Sequence, residues 1–292
     1  MDGRQDALRQ GENPPGEHAI TADFAARLAG LAPTRLGETV GALVTALQRL
    51  AAERGLSPAE LRAAVSFLTE VGHHADARRQ EWVLLADVLG LSSLVEDLAH
   101  PRPAGATPNT VAGPFYRADA PDLPPGASIS RDGKGVPLAV RGRVTGLSGG
   151  ALSGALVEVW QANGEGKYEN QEPDRQPENN LRGRFRTDGL GRFWFRSVMP
   201  KGYALPADGP VGRLMAALGL SADRPAHVHF RVSAEGHERL TTHIFDRADP
   251  AIGRDAIFGV KPELLAEFPP AEGGAEGRTL DLTFVLCPRR QG

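Results

Sequence analysis

A mainly β protein is predicted, a β-sandwich domain behind an N-terminal α-helical domain, and three observations carry that prediction. Apolar residues recur at helical spacing only in the first hundred residues. Pro101, Pro103, Gly105 and Pro108 then end that period. Beyond them lie six short β-type runs separated by Gly, Pro, Asn and Asp, with no helical repeat between them to build a parallel α/β sheet.

Residues 1–19 are polar, hold Pro14, Pro15 and Gly16, and read as a flexible tail. From Ile20 the pattern turns helical. Leu36, Val40, Leu43, Val44, Leu47 and Leu50 line one helix face, and Ser57-Pro58-Ala59-Glu60 is a capping box with proline at the first helical position. That second helix carries Leu61, Val65 and Leu68 inward. A third runs from Arg78 to Leu89, and Ser93 with Glu96 marks a short fourth. The linker spans residues 100–125, and the boundaries are set at 20–105 for the helical domain and 106–292 for the sandwich. Strands are expected at Leu138–Thr145, Ala155–Gln161, Arg192–Met199, Ala226–Ser233, Leu240–Phe245 and Thr279–Cys287, with a turn of helix at Val211–Leu218.

Composition narrows the partners. A length of 292 residues suits two domains, and 41% hydrophobic with 24% charged residues is ordinary for a globular chain. The net charge of -3 gives no electrostatic case for nucleic acid or acidic membranes. No stretch resembles a signal sequence or the roughly 18 apolar residues of a membrane span, so a cytoplasmic protein acting on a small molecule is expected. Cys287 is the sole cysteine, which leaves His, Tyr and carboxylates to hold any transition metal.

The stretch from Trp160 to Phe230 holds such donors. His227 and His229 in RPAHVHF are two apart on a predicted strand, so both imidazoles share one face while Val228 and Phe230 take the apolar other. Two of the three tyrosines, Tyr168 in GKYENQ and Tyr203 in MPKGYALP, lie nearby in turn-rich sequence. Binding a phenolate means displacing a proton from a group with a pKa of about 10, which selects a strongly Lewis-acidic ion such as Fe(III). Alone, each residue reads as a hydrogen-bonded structural group; together they read as a metal site.

GALVEVWQANGEGKYENQ, FRTDGLGRFWFRSVMPKGYALPADGPVG and RPAHVHFRVSAEGHERLTTHIFD resemble the intradiol ring-cleavage dioxygenases. The likeness extends through RRQEWVLLADVLG and PAGATPNTVAGPFY, so it covers nearly the whole chain. It implies an Fe(III) catalytic domain, with Tyr203 and His229 as axial and Tyr168 and His227 as equatorial ligands. It implies that Tyr203 leaves the metal as a base and that Arg224 lies beside the substrate ring. Substrate-pocket positions carried over are Leu84, Asp87, Val111, Gly113, Pro114, Phe115, Leu205, Pro206, Arg224, His243 and Ile257. Partners implied are an aromatic diol or triol and O2, with a homodimer through the N-terminal helices and a bound lipid between them.

Histidine at position 243, where the catechol branch has glutamine, together with DAIFGVKPELL at Asp255–Leu265, is similar to the hydroxyquinol branch. Hydroxyquinol is therefore the expected substrate and 3-hydroxy-cis,cis-muconate (maleylacetate) the product. Asp87 would accept a hydrogen bond from the extra hydroxyl. Ala112 is smaller than the family's usual residue and implies a wider mouth, open to substituted hydroxyquinols or chlorocatechols; catechol or chlorocatechol is the alternative substrate. A β-sandwich carrier domain is the non-enzyme alternative.

Overall fold

Helices come first, as the leucine spacing requires. In a computed structural model of the chain, which describes residues 18–29, 34–76, 79–274 and 276–289, they are α1 (Ala19–Ala29), α2 (Arg35–Arg54) and α3 (Pro58–His73). The predicted tail lies outside the described residues up to position 17, and Ala19 already begins α1. Thr34 caps α2 by accepting from the Gly37 amide at 3.0 Å, and Gly55 ends it in the left-handed conformation that glycine adopts at least cost. At α3 the capping box forms as read. The Ser57 amide donates to Glu60 Oε2 at 2.8 Å, and the Glu60 amide returns to Ser57 Oγ at 3.3 Å.

The chain divides into two compact units after Thr69. In the first, α1 meets α2 where a Cβ on Gly41 would lie 2.8 Å from Leu28 Cδ1, so glycine is what permits the approach. No residue of α2 is buried. Leu36, Leu43, Leu47, Leu50, Leu61, Val65 and Leu68 are all exposed, so these positions, predicted to point inward, are left uncovered among the described residues.

The second unit begins in the last turn of α3 and continues with α4 (Glu81–Val88) and α5 (Leu91–Ala99). α4 starts later than the predicted Arg78, which itself lies outside the described residues. Asp76 Oδ1 accepts from the Arg79 amide at 2.7 Å, a local turn that competes with helix at this point.

Strands follow: β1 (Pro137–Gly146), β2 (Leu156–Gln161), β3 (Arg182–Arg186), β4 (Arg192–Val198), β5 (Tyr203–Ala204), then α6 (Pro210–Leu218), β6 (Asp223–Arg224), β7 (His227–Ser233), β8 (Leu240–Asp246), β9 (Leu265–Ala266) and β10 (Arg278–Leu286). They form mixed sheets, following the helical N-terminal region in chain order. One has the order β10-β1-β4, one β3-β2-β7-β8-β9, and β5 pairs β6 in a two-stranded ribbon. β1 runs parallel to β10, and β8 parallel to β9; the other pairs are antiparallel.

Residues of both larger sheets meet in one hydrophobic cluster. Val140, Phe193, Phe195 and Phe284 enter from the first sheet, and Val157, Phe185, Val228, Phe230 and Val232 from the second. Phe230 lies 5.0 Å from Phe284 between ring centroids. A Cβ on Gly142 would sit 2.3 Å from Phe193 Cζ, so this glycine makes room for the ring. β3 was missed from sequence because RGRFR reads as a charged surface run. In fact Arg182 is 1% exposed, neutralised by Glu169.

Candidate metal centre

β7 and β8 bring three imidazoles to one sheet face. Strand parity puts His227 and His229 on the same side, and the register sets His243 directly opposite His229. Ring centroids are 4.8 Å apart for His227–His229, 5.0 Å for His227–His243 and 4.1 Å for His229–His243. All three are buried. His227 Nδ1 lies 2.6 Å from the Pro225 carbonyl, which can only accept, so Nδ1 carries the proton and Nε2 presents its lone pair. Burial, then neighbouring charge, holds each imidazole well below the ordinary histidine range; the neighbour is Arg224 for His227 and His243, and chiefly His243 for His229. Neutral imidazole is the form that binds metal.

Two phenols face these rings. Tyr168 is the residue before a 3-10 turn, Glu169–Gln171, and its amide donates to Gln171 Oε1 at 2.9 Å. Tyr203 begins the β5–β6 ribbon, paired in register with Arg224. The Tyr168 ring centroid is 5.9 Å from that of Tyr203 and 6.4 Å from that of His229, and Tyr203 is 5.7 Å from His227. The two differ in burial: Tyr168 is 1% exposed, Tyr203 only half-buried. Burial, then the Tyr203 hydroxyl, holds the Tyr168 phenol well above the usual tyrosine range, against the pull of Arg224 and Arg182. A buried ion pair fixes this tyrosine. Arg182 Nε donates to Glu169 Oε1 at 2.7 Å, Arg182 Nη1 donates to the Phe115 carbonyl, and the Phe115 ring stacks on Tyr168 at 4.1 Å.

Arg224 reaches both halves of the cluster. Its Nη1 is 3.5 Å from the Tyr203 hydroxyl and 3.5 Å from His227 Nε2, and its Nε donates to Asp255 Oδ1 at 3.1 Å. Burial works against its charge, but Tyr203, Asp255 and Tyr168 outweigh that and push its pKa up, so it stays a cation. Asp255 Oδ2 accepts from the Gly259 amide at 2.9 Å, and the Ile257 carbonyl of this loop accepts from Ser93 on α5 at 2.7 Å.

The other predicted positions fall around this core. Gly113, at φ 69°, passes so near that a Cβ there would meet His229 Cε1 at 3.5 Å. Leu84, Asp87, Val111 and Leu205 are half-buried, Ile257 is buried, and Pro114 and Pro206 are exposed. Burial raises the Asp87 carboxyl against the lowering effects of Ser92 and the Arg224 charge. Sequence reasoning missed Asp255, the Arg182–Glu169 pair and Trp160, which stacks on His229 at 4.7 Å. The register places Trp160 opposite His229, a signal that needed the β2–β7 pairing.

Six side-chain atoms in this cluster are buried without a hydrogen-bond partner among the described residues: the Tyr168 hydroxyl, His229 Nδ1, both nitrogens of His243, Arg224 Nη2 and Trp160 Nε1. Buried polar atoms are rarely left so. With no thiolate in the set, the fold and these donors define a candidate mononuclear metal enzyme. Comparison with known proteins makes the class specific. The family model "Catechol dioxygenase N terminus" matches residues 34–107 and "Dioxygenase" matches residues 111–288. The chain is 46% identical over 255 residues to a hydroxyquinol 1,2-dioxygenase of a Rhizobium species, covering 87% of this chain and 86% of that one. It is 40% identical to a 6-chlorohydroxyquinol 1,2-dioxygenase of Cupriavidus pinatubonensis, covering 93% and 98%. The crystal structure of a hydroxyquinol 1,2-dioxygenase from Pseudomonas putida is similar with a TM-score of 0.88 at 36% identity, covering 92% and 98%.

The chain therefore belongs to the intradiol ring-cleavage dioxygenases, a family of iron-dependent enzymes. The carrier reading falls with that assignment. Among the described residues no helix is long and apolar enough to cross a membrane.

Proposed function

We propose that this protein opens hydroxyquinol between its adjacent hydroxyls, with both atoms of O2 entering the product, 3-hydroxy-cis,cis-muconate, which tautomerises to maleylacetate. The observation that carries the reading is the meeting of Tyr168, Tyr203, His227 and His229 beside a buried Arg224. These four would hold Fe(III). The donor set fits that ion, since an unpartnered buried phenol gives up its proton only to a strong Lewis acid. When bound, Fe(III) supplies the Lewis acidity that favours ionised substrate hydroxyls and draws electron density from the ring.

The protein's own groups do the rest. Tyr203 Oη takes a proton from a substrate hydroxyl, and the Arg224 cation 3.5 Å away offsets charge as it builds on ring carbon and oxygen. Tyr168, clamped by Arg182 and Phe115, stays in place while the half-buried Tyr203 moves. Asp255 holds the Arg224 guanidinium in position. Asp87, half-buried and already interacting with Ser92, accepts from the third hydroxyl as well. Leu84, Val111, Gly113, Pro114, Phe115, Leu205, Pro206, His243 and Ile257 complete the pocket. Catechol and chlorocatechols lack the group Asp87 would bind. Turnover of hydroxyquinol and catechol on one preparation tests this, together with the visible charge-transfer band of the purified protein. A preference for catechol overturns the substrate, and an iron-loaded protein without the band overturns the ligand set.

The same reading covers the architecture. The catalytic domain, 106–292, is a β-sandwich whose two sheets share one apolar cluster, behind a helical domain at 20–105; the family models meet between residues 107 and 111. The exposed leucines of α2 and α3 face a second copy in a homodimer, with a bound lipid among them, in the cytoplasm.

A further inference from the structure

The proposed iron ligands leave His243 over. It is 0% exposed, and neither ring nitrogen has a hydrogen-bond partner among the described residues. An imidazole buried in that state is costly unless something that enters the site satisfies it. Its position narrows what that is. Opposite His229 in register, it completes a trio with His227 in which one ligand nitrogen from each residue lies within 4.8 Å of the others.

We propose that His227, His229 and His243 form a three-imidazole site that takes a borderline divalent ion such as Co2+ or Zn2+ without either tyrosine. The proposal deepens the iron reading, because it shares two ligands with it, but it does not need the phenolates. Imidazole suits these ions, and three histidines with an open fourth position make a known zinc arrangement. Three imidazole nitrogens already within reach of one another make the tyrosines unnecessary as ligands for such an ion. Arg224 opposes any cation here, and Asp255, bonded to its Nε at 3.1 Å, offsets that charge for either ion. One pocket thus offers two overlapping donor sets. The phenol-rich set selects a trivalent ion, and the imidazole set a divalent one that leaves the protein unable to use Tyr203 as a metal-bound base. Metal supply during folding then decides which form accumulates.

Metal-free full-length protein titrated with cobalt(II) chloride, followed by calorimetry and visible absorption, tests this. Wild type is expected to bind one Co2+. In His243→Gln, Co2+ affinity falls by at least about tenfold, the least seen when even an outer partner of a metal ligand is lost. The phenolate band formed with Fe3+ survives in that variant. Unchanged Co2+ affinity in folded His243→Gln overturns the proposal. The Tyr168→Phe/Tyr203→Phe pair is expected to keep its Co2+ affinity, and loss there overturns it too, even if His243→Gln does not fold. Absence of the band in iron-loaded wild type sinks the iron reading alone, because the Co2+ arms are judged without it.

Discussion

Strand β7 is buried on both faces, and the two faces are buried for different reasons. Val228, Phe230 and Val232 are each 0% exposed and sit in the cluster shared by the two larger sheets. His227 and His229, 2% and 1% exposed, sit among aromatic rings where His229 Nδ1, the Tyr168 hydroxyl and both His243 nitrogens lack partners among the described residues. Loss of water is alike on both sides. On the first face it is itself the driving force. On the second it costs free energy that only a bound ligand returns. What separates a core from a site is therefore whether the buried atoms are satisfied, and depth of burial does not reveal it.

His227→Ala is expected to break the contrast most sharply, with iron content and colour falling to background and turnover lost, while circular dichroism keeps its native shape. Next comes Tyr203→Phe. Iron remains and kcat drops about 10²–10⁴-fold, the range of a lost general base; an unaltered kcat would remove that role. On the apolar face, Phe230→Ala is expected to cost about 3–5 kcal/mol in denaturant unfolding, with iron per folded molecule unchanged. Iron loss in that variant before unfolding would show that the faces are not separable.

Asp87→Asn sharpens the comparison at the rim. The ratio of kcat/KM for hydroxyquinol over catechol should fall about 10–100-fold, the worth of a hydrogen bond to a charged group. The last expectation is pH dependence. The three imidazoles have folded pKa values below the ordinary one, so below about pH 6.5 the unfolded chain binds protons the folded chain does not. Stability of the metal-free protein should thus fall as pH drops through that value, by about 1.4 kcal/mol per pH unit for each histidine, and be fully present above it. A melting temperature flat from neutral to acid pH would contradict the burial of neutral imidazoles.

Much of this was legible in the sequence because it rests on local periods. The parity of His227 and His229, the Ser57–Glu60 box and most strand cores need no long-range knowledge. Three things did need it. Arg182 looks like surface until Glu169, thirteen residues away, neutralises it. Asp255 lies 31 residues beyond Arg224, and nothing in its own neighbourhood marks it as the partner. Trp160 joins the cluster only once β2 is paired with β7 in a definite register. Helix α4 was read too long because a turn held by the Asp76 side chain is invisible to apolar spacing.

The ribbon of β5 and β6 belongs to neither larger sheet, and it carries Tyr203 and Arg224 as facing partners. A phenol and a guanidinium are thereby mounted opposite each other on one short ribbon. Only one side of it is anchored: Arg224 is buried and tied to Asp255, whereas Tyr203 is half-buried, so a swing of Tyr203 would run past a stationary positive charge.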